Sequence, residues 1–293
     1  MSVPSAGSDP DQSAPGVDAT QNSNVGDDAG SDVILFVFAD SSHRAVIQNA
    51  TEQAIAQCMS GLGFDYVPLL RSEEEDPHSR NLIDQTIGVY DEAFATQYGY
   101  GLPEFPPSDI DGGATSSAPA YVAALFGPDS NTPQMVDIID PATGQVIGQA
   151  ETRGGCVGAA DDAVFGDAAA RQRYNTLDLS IQHMAIDAIA RAVAAPATTE
   201  GAAAWSQCMH TKGYAYTEPT DPLNSEWPDP PSAAEIATAK ADYSCKVESG
   251  LLDIFRAQVE TFASQSAEEH DAELRQWRVL QTQVEDRALR IAS

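Results

Sequence analysis

Apolar residues recur every three or four positions along most of the chain after residue 40, and this spacing predicts a mainly helical protein. The first helix is predicted to begin at one of three capping residues, Asp40, Ser41 or Ser42, and to stop at Gly63, a common helix terminator. Its apolar side carries Ile47, Ala50, Ala54, Cys58 and Leu62. A second helix is predicted over residues 79–98, with an apolar side made of Leu82, Ile83, Val89, Tyr90 and Phe94.

Helical spacing continues through the second half of the chain. Residues 167–195 predict a long helix that Pro196 ends, and its two apolar stripes predict burial on more than one side. The stripes are Leu177, Ile181, Met184 and Ala188, and then Leu179, Ile186, Ile189 and Val193. Ser232 and Glu235 have the spacing of a capping box, which predicts the start of another helix. A stripe in the last helix predicts core contacts rather than a partner-binding zipper; it contains Leu274, Trp277, Val284, Ala288 and Ile291.

Two regions depart from helical spacing. Residues 102–119 are rich in Pro, Gly, Ser and Asp, which predicts a loop, and a short helix over 121–126 follows it. Between residues 135 and 150, short apolar runs flank a turn sequence at 140–144, so this is where we expect a β-hairpin. The predicted fold class is therefore mainly α, a helical domain with one β-hairpin.

Composition suggests how this domain is bounded. Residues 1–31 consist largely of Ser, Gly, Asp, Asn and Pro, without Lys or Arg, and predict a disordered acidic spacer. Residues 32–293 are predicted to form a single helical domain made of two halves, 32–165 and 166–293, on one extended core. No signal peptide is visible in residues 1–32, so an exported protein is expected to have lost its signal.

Charge narrows the choice of partners. The chain has 15 Lys and Arg against 44 Asp and Glu, which gives a formal net charge of −29. Such a polyanion is repelled by phosphate backbones and by anionic membrane surfaces, so we expect no nucleic-acid partner. The apolar run at 33–38 is far too short to span a bilayer, and we expect no transmembrane segment.

The four cysteines are even in number and widely spaced, which favours disulfides in an oxidising compartment over a metal site. Two of them lie in an internal repeat: residues 54–66 align without gaps with residues 204–216, sharing Ala, Gln, Cys, Met, Gly and Tyr. Each repeat is followed by one further cysteine. If the repeat is a structural unit, each half closes its own bridge, Cys58–Cys156 and Cys208–Cys245; the two crossed pairings remain alternatives.

Several short motifs together resemble an uncharacterised family of actinobacterial secreted proteins and lipoproteins, which is marked by paired Cys-Met-x3-Gly-aromatic motifs. The motifs that carry the likeness are Gln57-Cys58-Met59 with Gly63-Phe64-Asp65-Tyr66, Tyr98-Gly99-Tyr100-Gly101, Ala120-Tyr121-Val122 through Leu125-Phe126-Gly127, Gly154-Gly155-Cys156, and Cys208-Met209 with Gly213-Tyr214. The sequence departs from the family in lacking an export signal and a lipid-attachment cysteine. The resemblance implies an extracytoplasmic protein and no particular activity.

Residue patterns for catalysis are absent from the sequence. No serine, histidine or cysteine stands in a recognisable nucleophile motif, and the lone His183 of the long helix is expected to be a core or edge residue. Residues 109–113 have a superficial calcium-loop pattern but lack the bidentate Glu, so we expect neither a metal nor a cofactor. We accordingly predict no catalytic residues.

Aromatic residues near the repeats are the remaining candidates for a site. A ligand groove is predicted from Tyr66, Tyr98, Tyr100, Tyr214 and Tyr216, although covering helix ends and loops is the more frequent role of such residues. We expect a secreted or envelope-associated, non-enzymatic protein that binds an envelope protein or a ligand. The alternative from another class is a cell-wall or glycan hydrolase that uses dispersed carboxylates.

Overall fold

The computed structural model describes residues 41–71, 86–101, 113–128, 134–139 and 143–292. Within these ranges the chain forms nine helices and four short strands, which confirms the mainly α fold class. In chain order the elements are α1 Ser41–Gly61, β1 Tyr66–Val67, α2 Glu92–Tyr98, β2 Gly113–Ala114, α3 Pro119–Phe126, β3 Gln134–Ile139, β4 Val146–Thr152, α4 Gly155–Phe165, α5 Ala168–Ala194, α6 Pro196–Thr211, α7 Ala233–Glu248, α8 Leu251–Glu269 and α9 Asp271–Ala292.

The predicted helix starts and stops are confirmed where local chemistry sets them. The side chain of Asp167 accepts a hydrogen bond from the backbone of Ala170 at 2.6 Å and so caps α5. Helix α7 begins with the predicted capping box, in which both reciprocal bonds between Ser232 and Glu235 are present. Pro196 separates α5 from α6 because it cannot donate the backbone hydrogen bond that would continue α5.

Three apolar clusters follow one another along α5. Towards the start of α5, Tyr174 packs with residues of α1, α4 and α9; its middle packs on α8 and α9; and Ile189 and Ala192 pack near the end on Phe255 and Val259 of α8. Further clusters surround the two disulfides. Helices of the two predicted halves contact each other: α1 packs on α9, and α2 packs on α7.

The predicted hairpin at 135–150 is present. Strands β3 and β4 pair in antiparallel register from Gln134 opposite Thr152 to Ile139 opposite Val146, with a bulge next to Ile138. A second, two-residue strand pair was not predicted: Tyr66 of β1 pairs with Ala114 of β2, and Val67 with Gly113. Residues 113–114 belong to the predicted loop, in which no local sequence pattern predicts a strand.

The prediction of a continuous helix over 79–98 is wrong for residues 88–91. Thr86 and Ile87 are helical, Gly88 to Asp91 are not, and α2 starts after Asp91, whose side chain accepts a hydrogen bond from the backbone of Phe94. Gly88 ends the helical stretch with a φ angle of +77°, which lies outside the helical region. A contact that is remote in sequence then holds the non-helical segment. The carbonyl of Val89 accepts a hydrogen bond from the buried ammonium of Lys246 at 3.1 Å, which a carbonyl engaged in a helix would not offer so freely. The predicted start of this helix, 79–85, lies outside the described residues.

The prediction that both stripes of the long helix are buried is also wrong. Ile181, Met184, Ala188 and Ile189 are buried, whereas Leu179, Ile186 and Val193 are 53%, 52% and 45% exposed. Helices α8 and α9 pack against one side of α5, and no described element covers the opposite side. His183 lies on this exposed side and is not a core residue. In contrast, the predicted core stripe of α9 is confirmed by the burial of Leu274, Trp277, Val284 and Ala288.

Among the described residues, no helix combines the length and the apolar character that crossing a membrane requires.

Candidate functional site

The two repeated segments fold into the same local structure. In each, the helix ends in the turn that follows the cysteine, and the aromatic residue after the glycine donates a backbone hydrogen bond to the methionine carbonyl. These bonds run from Phe64 to Met59 at 3.0 Å and from Tyr214 to Met209 at 2.9 Å. Gly63 and Gly213 allow the reversal because their φ angles are +81° and +91°, a region that side chains with a Cβ disfavour. The repeat is therefore a duplicated helix terminus.

Both predicted disulfide pairings are confirmed. Cys58 is bonded to Cys156, and Cys208 to Cys245, with Cα–Cα distances of 5.5 and 5.6 Å. The duplication does not extend to the partner helices: Cys156 lies in the first turn of α4, whereas Cys245 lies in the last turn of α7. The two bridges staple equivalent helix ends to opposite ends of their partners.

Glycines permit the close approach that brings Cys156 to Cys58. A Cβ on Gly155 would lie 2.5 Å from the carbonyl oxygen of Ala124, and a Cβ on Gly154 would lie 2.8 Å from that of Phe126. The end of α3 and the start of α4 thus touch through bare backbone. This contact explains the Gly154-Gly155-Cys156 motif as packing rather than chemistry.

A buried polar centre lies beside the second disulfide. The carboxylate of Asp242 accepts hydrogen bonds from Lys246 at 2.9 Å, from the indole of Trp205 at 2.9 Å and from the hydroxyl of Tyr100 at 3.1 Å. The side chains of Asp242 and Lys246 are both fully buried. Burial raises the pKa of Asp242, while Lys246 opposes that rise; burial and the Asp242 charge raise the pKa of Tyr100. Because no substrate can touch these groups, we assign the centre a structural role.

Glu235 extends this centre to α2. Its carboxylate is fully buried and accepts a hydrogen bond from the backbone of Tyr100 at 3.0 Å, in addition to closing the capping box. The ring of Tyr100 also stacks on that of Trp227, with centroids 5.5 Å apart. One acidic side chain therefore caps α7 and holds the loop after α2, which the sequence indicated only through the capping box.

The tyrosines of the predicted groove fall into two places. Tyr66 packs around the first disulfide, and its hydroxyl donates to Glu52 at 2.9 Å. Tyr214 and Tyr216 stack on each other beside the second disulfide, within electrostatic reach of Tyr100. Tyr98 contacts Phe94 and accepts a hydrogen bond from Gln97. The structure brings Tyr100, Tyr214 and Tyr216 together and leaves Tyr66 apart, so a groove made by all five stays a prediction.

A described cavity lies elsewhere, under the hairpin. One side of the hairpin faces α5, where Ile138 and Ala150 are buried, and the guanidinium of Arg171 donates to the carbonyl of Glu151. The opposite side of the hairpin presents exposed apolar side chains, namely Met135, Ile139 and Val146. A two-stranded sheet has no core of its own, so the hairpin is held by its contacts with α5.

Between the hairpin, α5 and α9 runs a groove of about 850 Å³, which we call the hairpin groove. It is lined by Ile138, Ile147, Arg173, Thr176, Leu177, Ala272, Arg275, Gln276, Val279 and Leu280. Apolar side chains make most of its surface, and Ile147 and Val279 remain 61% and 57% exposed. Volumes of 300–1,000 Å³ with mostly apolar linings are characteristic of small-molecule sites.

The charges in the hairpin groove are both positive. Arg173 and Arg275 line it, and no acidic side chain is among the lining residues that the structure describes. Arg275 forms an ion pair with Asp271 one turn earlier on α9. Arg173 makes no hydrogen bond or ion pair with any residue that the structure describes. A free guanidinium beside apolar surface is a ready partner for an anion.

A second cavity, the ionic cavity, lies at the other end of the hairpin. It measures about 420 Å³ and includes Asp137, Arg153, Asp161, Asp162, Asp167 and Arg171 in its lining. Arg171 and Asp161 are nearly buried and lie 2.9 Å apart, and Arg153 lies 3.7 Å from the same carboxylate. Burial raises the pKa of Asp161, and the two arginines act in the opposite direction.

Metal chemistry gains no support from the described residues, which contain no group of three or more His, Cys, Asp or Glu side chains arranged to hold an ion. The calcium-like pattern at 109–113 lies outside them except for Gly113. The cysteines are all bonded in disulfides, so none can act as a nucleophile.

Sequence reasoning missed the hairpin groove. Its lining comes from three elements that are distant in the chain; each of the three was predicted, but nothing in the sequence indicated that they meet around a groove. One signal was available: Arg173 lies four residues before Leu177, so it extends the first apolar stripe of the long helix with a cation.

No protein-family model matches the chain, and neither does any curated protein or solved structure.

Proposed function

We propose that this chain is a non-enzymatic, extracytoplasmic binding protein, secreted or attached to the cell envelope, whose ligand occupies the hairpin groove. The observation that carries the proposal is the groove itself, about 850 Å³ of largely apolar surface between the hairpin, α5 and α9. Burying apolar ligand surface there removes it from water and stabilises the complex by about 25 cal/mol per Å².

The compartment part of the proposal is supported by the disulfides. Both bridges are formed and no described cysteine is free, which is compatible with an oxidising, extracytoplasmic environment. The resemblance to actinobacterial secreted proteins and lipoproteins points the same way. The acidic composition of residues 1–31 suits a spacer between such a domain and an anchor.

The binding part can be tested by filling the groove. Ala272 lines the hairpin groove from the first turn of α9, so Ala272→Trp places an indole where the ligand would lie. Ala257 is an exposed alanine on α8 outside the lining, and Ala257→Trp is the matched control. The probe is Nile red, a neutral dye whose emission shifts to the blue in apolar surroundings.

We expect saturable binding of about one dye per chain, weakened at least tenfold by Ala272→Trp and unchanged by Ala257→Trp. This contrast separates loss of the groove from a general effect of an added tryptophan. Equal affinity in both variants, or no saturable binding to the parent protein, would remove the basis of the proposal.

Hydrolysis remains the second candidate because the ionic cavity collects carboxylates and burial raises the pKa of Asp161, as a general acid requires. Binding is favoured over it because Asp161 lies 2.9 Å from Arg171, a pairing that stabilises the charged form. Release of reducing ends from peptidoglycan that disappears in both Asp161→Asn and Asp167→Asn would establish the hydrolase. Absence of release at stoichiometric enzyme would exclude it for that substrate.

A further inference from the structure

The two arginines that line the hairpin groove indicate the chemical class of the ligand, which the volume of the groove does not. In a chain where acids outnumber bases 44 to 15, a lining whose described residues include two arginines and no acid is a local reversal of charge. The long-range field of the protein repels anions, but that field is screened beyond about 10 Å at ordinary salt, whereas a direct contact with a guanidinium is not. The groove therefore selects a negative group at short range.

The two guanidiniums are not equally available. Arg275 is already paired with Asp271, so its charge is largely compensated before any ligand arrives. Arg173 has no hydrogen bond or ion pair within the described part of the chain, and its planar fork can bind both oxygens of a carboxylate. One uncompensated positive charge matches a monoanion better than a phosphate monoester, which carries nearly two negative charges.

The rest of the lining fits a single apolar chain. On α9 the lining runs from Ala272 to Leu280, eight residues along the helix and therefore about 12 Å. Ile138 and Ile147 of the hairpin and Leu177 of α5 form the facing walls. Thr176 and Gln276 add two uncharged polar groups, and the remaining surface would lose its contact with water against a hydrocarbon chain.

We infer that the hairpin groove binds a long-chain carboxylate, with its apolar chain along α9 and its carboxylate on Arg173. This inference rests on the proposed function and specifies the ligand class for the same site. It predicts two separable contributions to affinity. Each buried methylene strengthens binding about three- to fourfold, and the charge-assisted pair with Arg173 adds at least about tenfold.

The test compares an acid with its uncharged analogue. Dodecanoic acid and dodecanol are titrated below their aggregation limits into the full chain and into Arg173→Gln, with calorimetry as the readout. Arg256, an exposed arginine on α8 outside the groove, gives the control Arg256→Gln, which changes net charge by the same amount. A series from octanoic to tetradecanoic acid measures the contribution of chain length.

We expect the full chain to prefer the acid by at least tenfold, Arg173→Gln to abolish that preference while keeping dodecanol affinity, and Arg256→Gln to retain it. Persistence of the preference in Arg173→Gln would overturn the inference. Equal binding of acid and alcohol with a clear chain-length dependence would also overturn it, yet would leave the proposed function standing. Absence of saturable binding for dodecanoic acid and for dodecanol would contradict both the inference and the proposed function.

Other occupants give different results. If the acid binds only after Phe36 and Phe38 are replaced by serine, the apolar segment 33–38 of the same chain fills the groove instead. If light scattering shows a dimer that Ala272→Trp dissociates and Ala257→Trp does not, the occupant is a second copy. Either outcome would overturn the assignment of the groove to a long-chain carboxylate.

Discussion

Asp242 and Lys246 place opposite charges where neither side chain has any exposed surface. Such a pair is costly to desolvate, and it persists because every donor around it finds an acceptor: Tyr100 and Trp205 donate to Asp242, and Lys246 also donates to the carbonyl of Val89. The centre joins α6, α7 and the segment before α2, so at the scale of single residues it ties the two halves of the chain together.

We predict that Asp242→Asn lowers the free energy of unfolding by about 3–5 kcal/mol, because it leaves the charge of Lys246 buried and unpaired. Chemical denaturation with the disulfides intact measures the change. The matched control is Lys212→Met, which breaks the exposed pair of Lys212 with Glu248. That substitution should cost far less, since water screens both charges. Similar losses in the two variants would show that the buried pair has no special role.

The duplicated glycines give a second prediction at this scale. Gly63→Ala and Gly213→Ala should each destabilise the protein by about 1 kcal/mol, because a Cβ opposes their positive φ although nothing lies within 4 Å of it. Gly61, two residues before Gly63, has equally open space and no positive φ. Gly61→Ala should therefore be neutral or slightly stabilising in thermal denaturation. A loss in Gly61→Ala equal to that in Gly63→Ala would contradict the backbone explanation.

At the scale of elements, the disulfides act on helix termini. The first bridge spans 98 residues and the second 37, so loop-closure entropy sets ceilings of about 4.7 and about 3.8 kcal/mol on their stabilisation. We predict that Cys58→Ala with Cys156→Ala destabilises more than Cys208→Ala with Cys245→Ala. The reverse order in denaturant titrations would mean that local packing outweighs chain entropy. Alkylation of the denatured parent protein, before reduction, should label no cysteine.

The helices and strands differ in how well the sequence pattern predicts them. Long helices such as α5, α7 and α9 were predictable because their caps and stripes are local. The break at Gly88–Asp91 was not predicted: Gly88 and the capping residue Asp91 are local signals for it, but the lysine that binds the carbonyl of Val89 lies 157 positions away. The exposed stripe of α5 was not either, because spacing identifies an apolar face but not what lies against it.

The candidate site was less predictable than the fold for the same reason. Both cysteine pairings followed from the repeat, which is local information duplicated along the chain. The hairpin groove depends on how β3, β4, α5 and α9 meet, and no residue in its lining forms a motif with its neighbours. Tyr100, one of the tyrosines predicted to line a groove, donates its hydroxyl to Asp242 in the buried centre.

The whole molecule carries a net charge of −29, and folding brings those charges closer together than they are in the unfolded chain. Self-repulsion therefore destabilises the compact state at neutral pH. Salt should relieve it: we expect the thermal midpoint at pH 7 to rise with added sodium chloride, and to rise much less near the sequence pI of about 4.1, where little net charge remains.

Buried carboxyls also lower the stability of the folded protein as pH rises. Burial raises the pKa of Asp161 and of Asp242, so between the ordinary value of 3.8 and the folded value the native state holds more protons than the unfolded state. Stability must then fall as pH rises through that window. Asp221 works in the opposite direction: backbone hydrogen bonds from Glu218 and Thr217 lower its pKa, and the stability it contributes is lost as pH falls below 3.8.

Because Asp221 is exposed and its effect begins only below pH 3.8, the two destabilising effects of rising pH dominate above that value. We therefore predict a maximum of thermal stability on the acidic side, at about pH 4.5–5.5, rather than at neutral pH. Thermal unfolding followed by circular dichroism from pH 3 to 8, at low and high salt, measures this directly. High salt should flatten the decline above pH 5.5 by removing self-repulsion. A midpoint higher at pH 7 than at pH 5 in low salt would contradict the argument from self-repulsion.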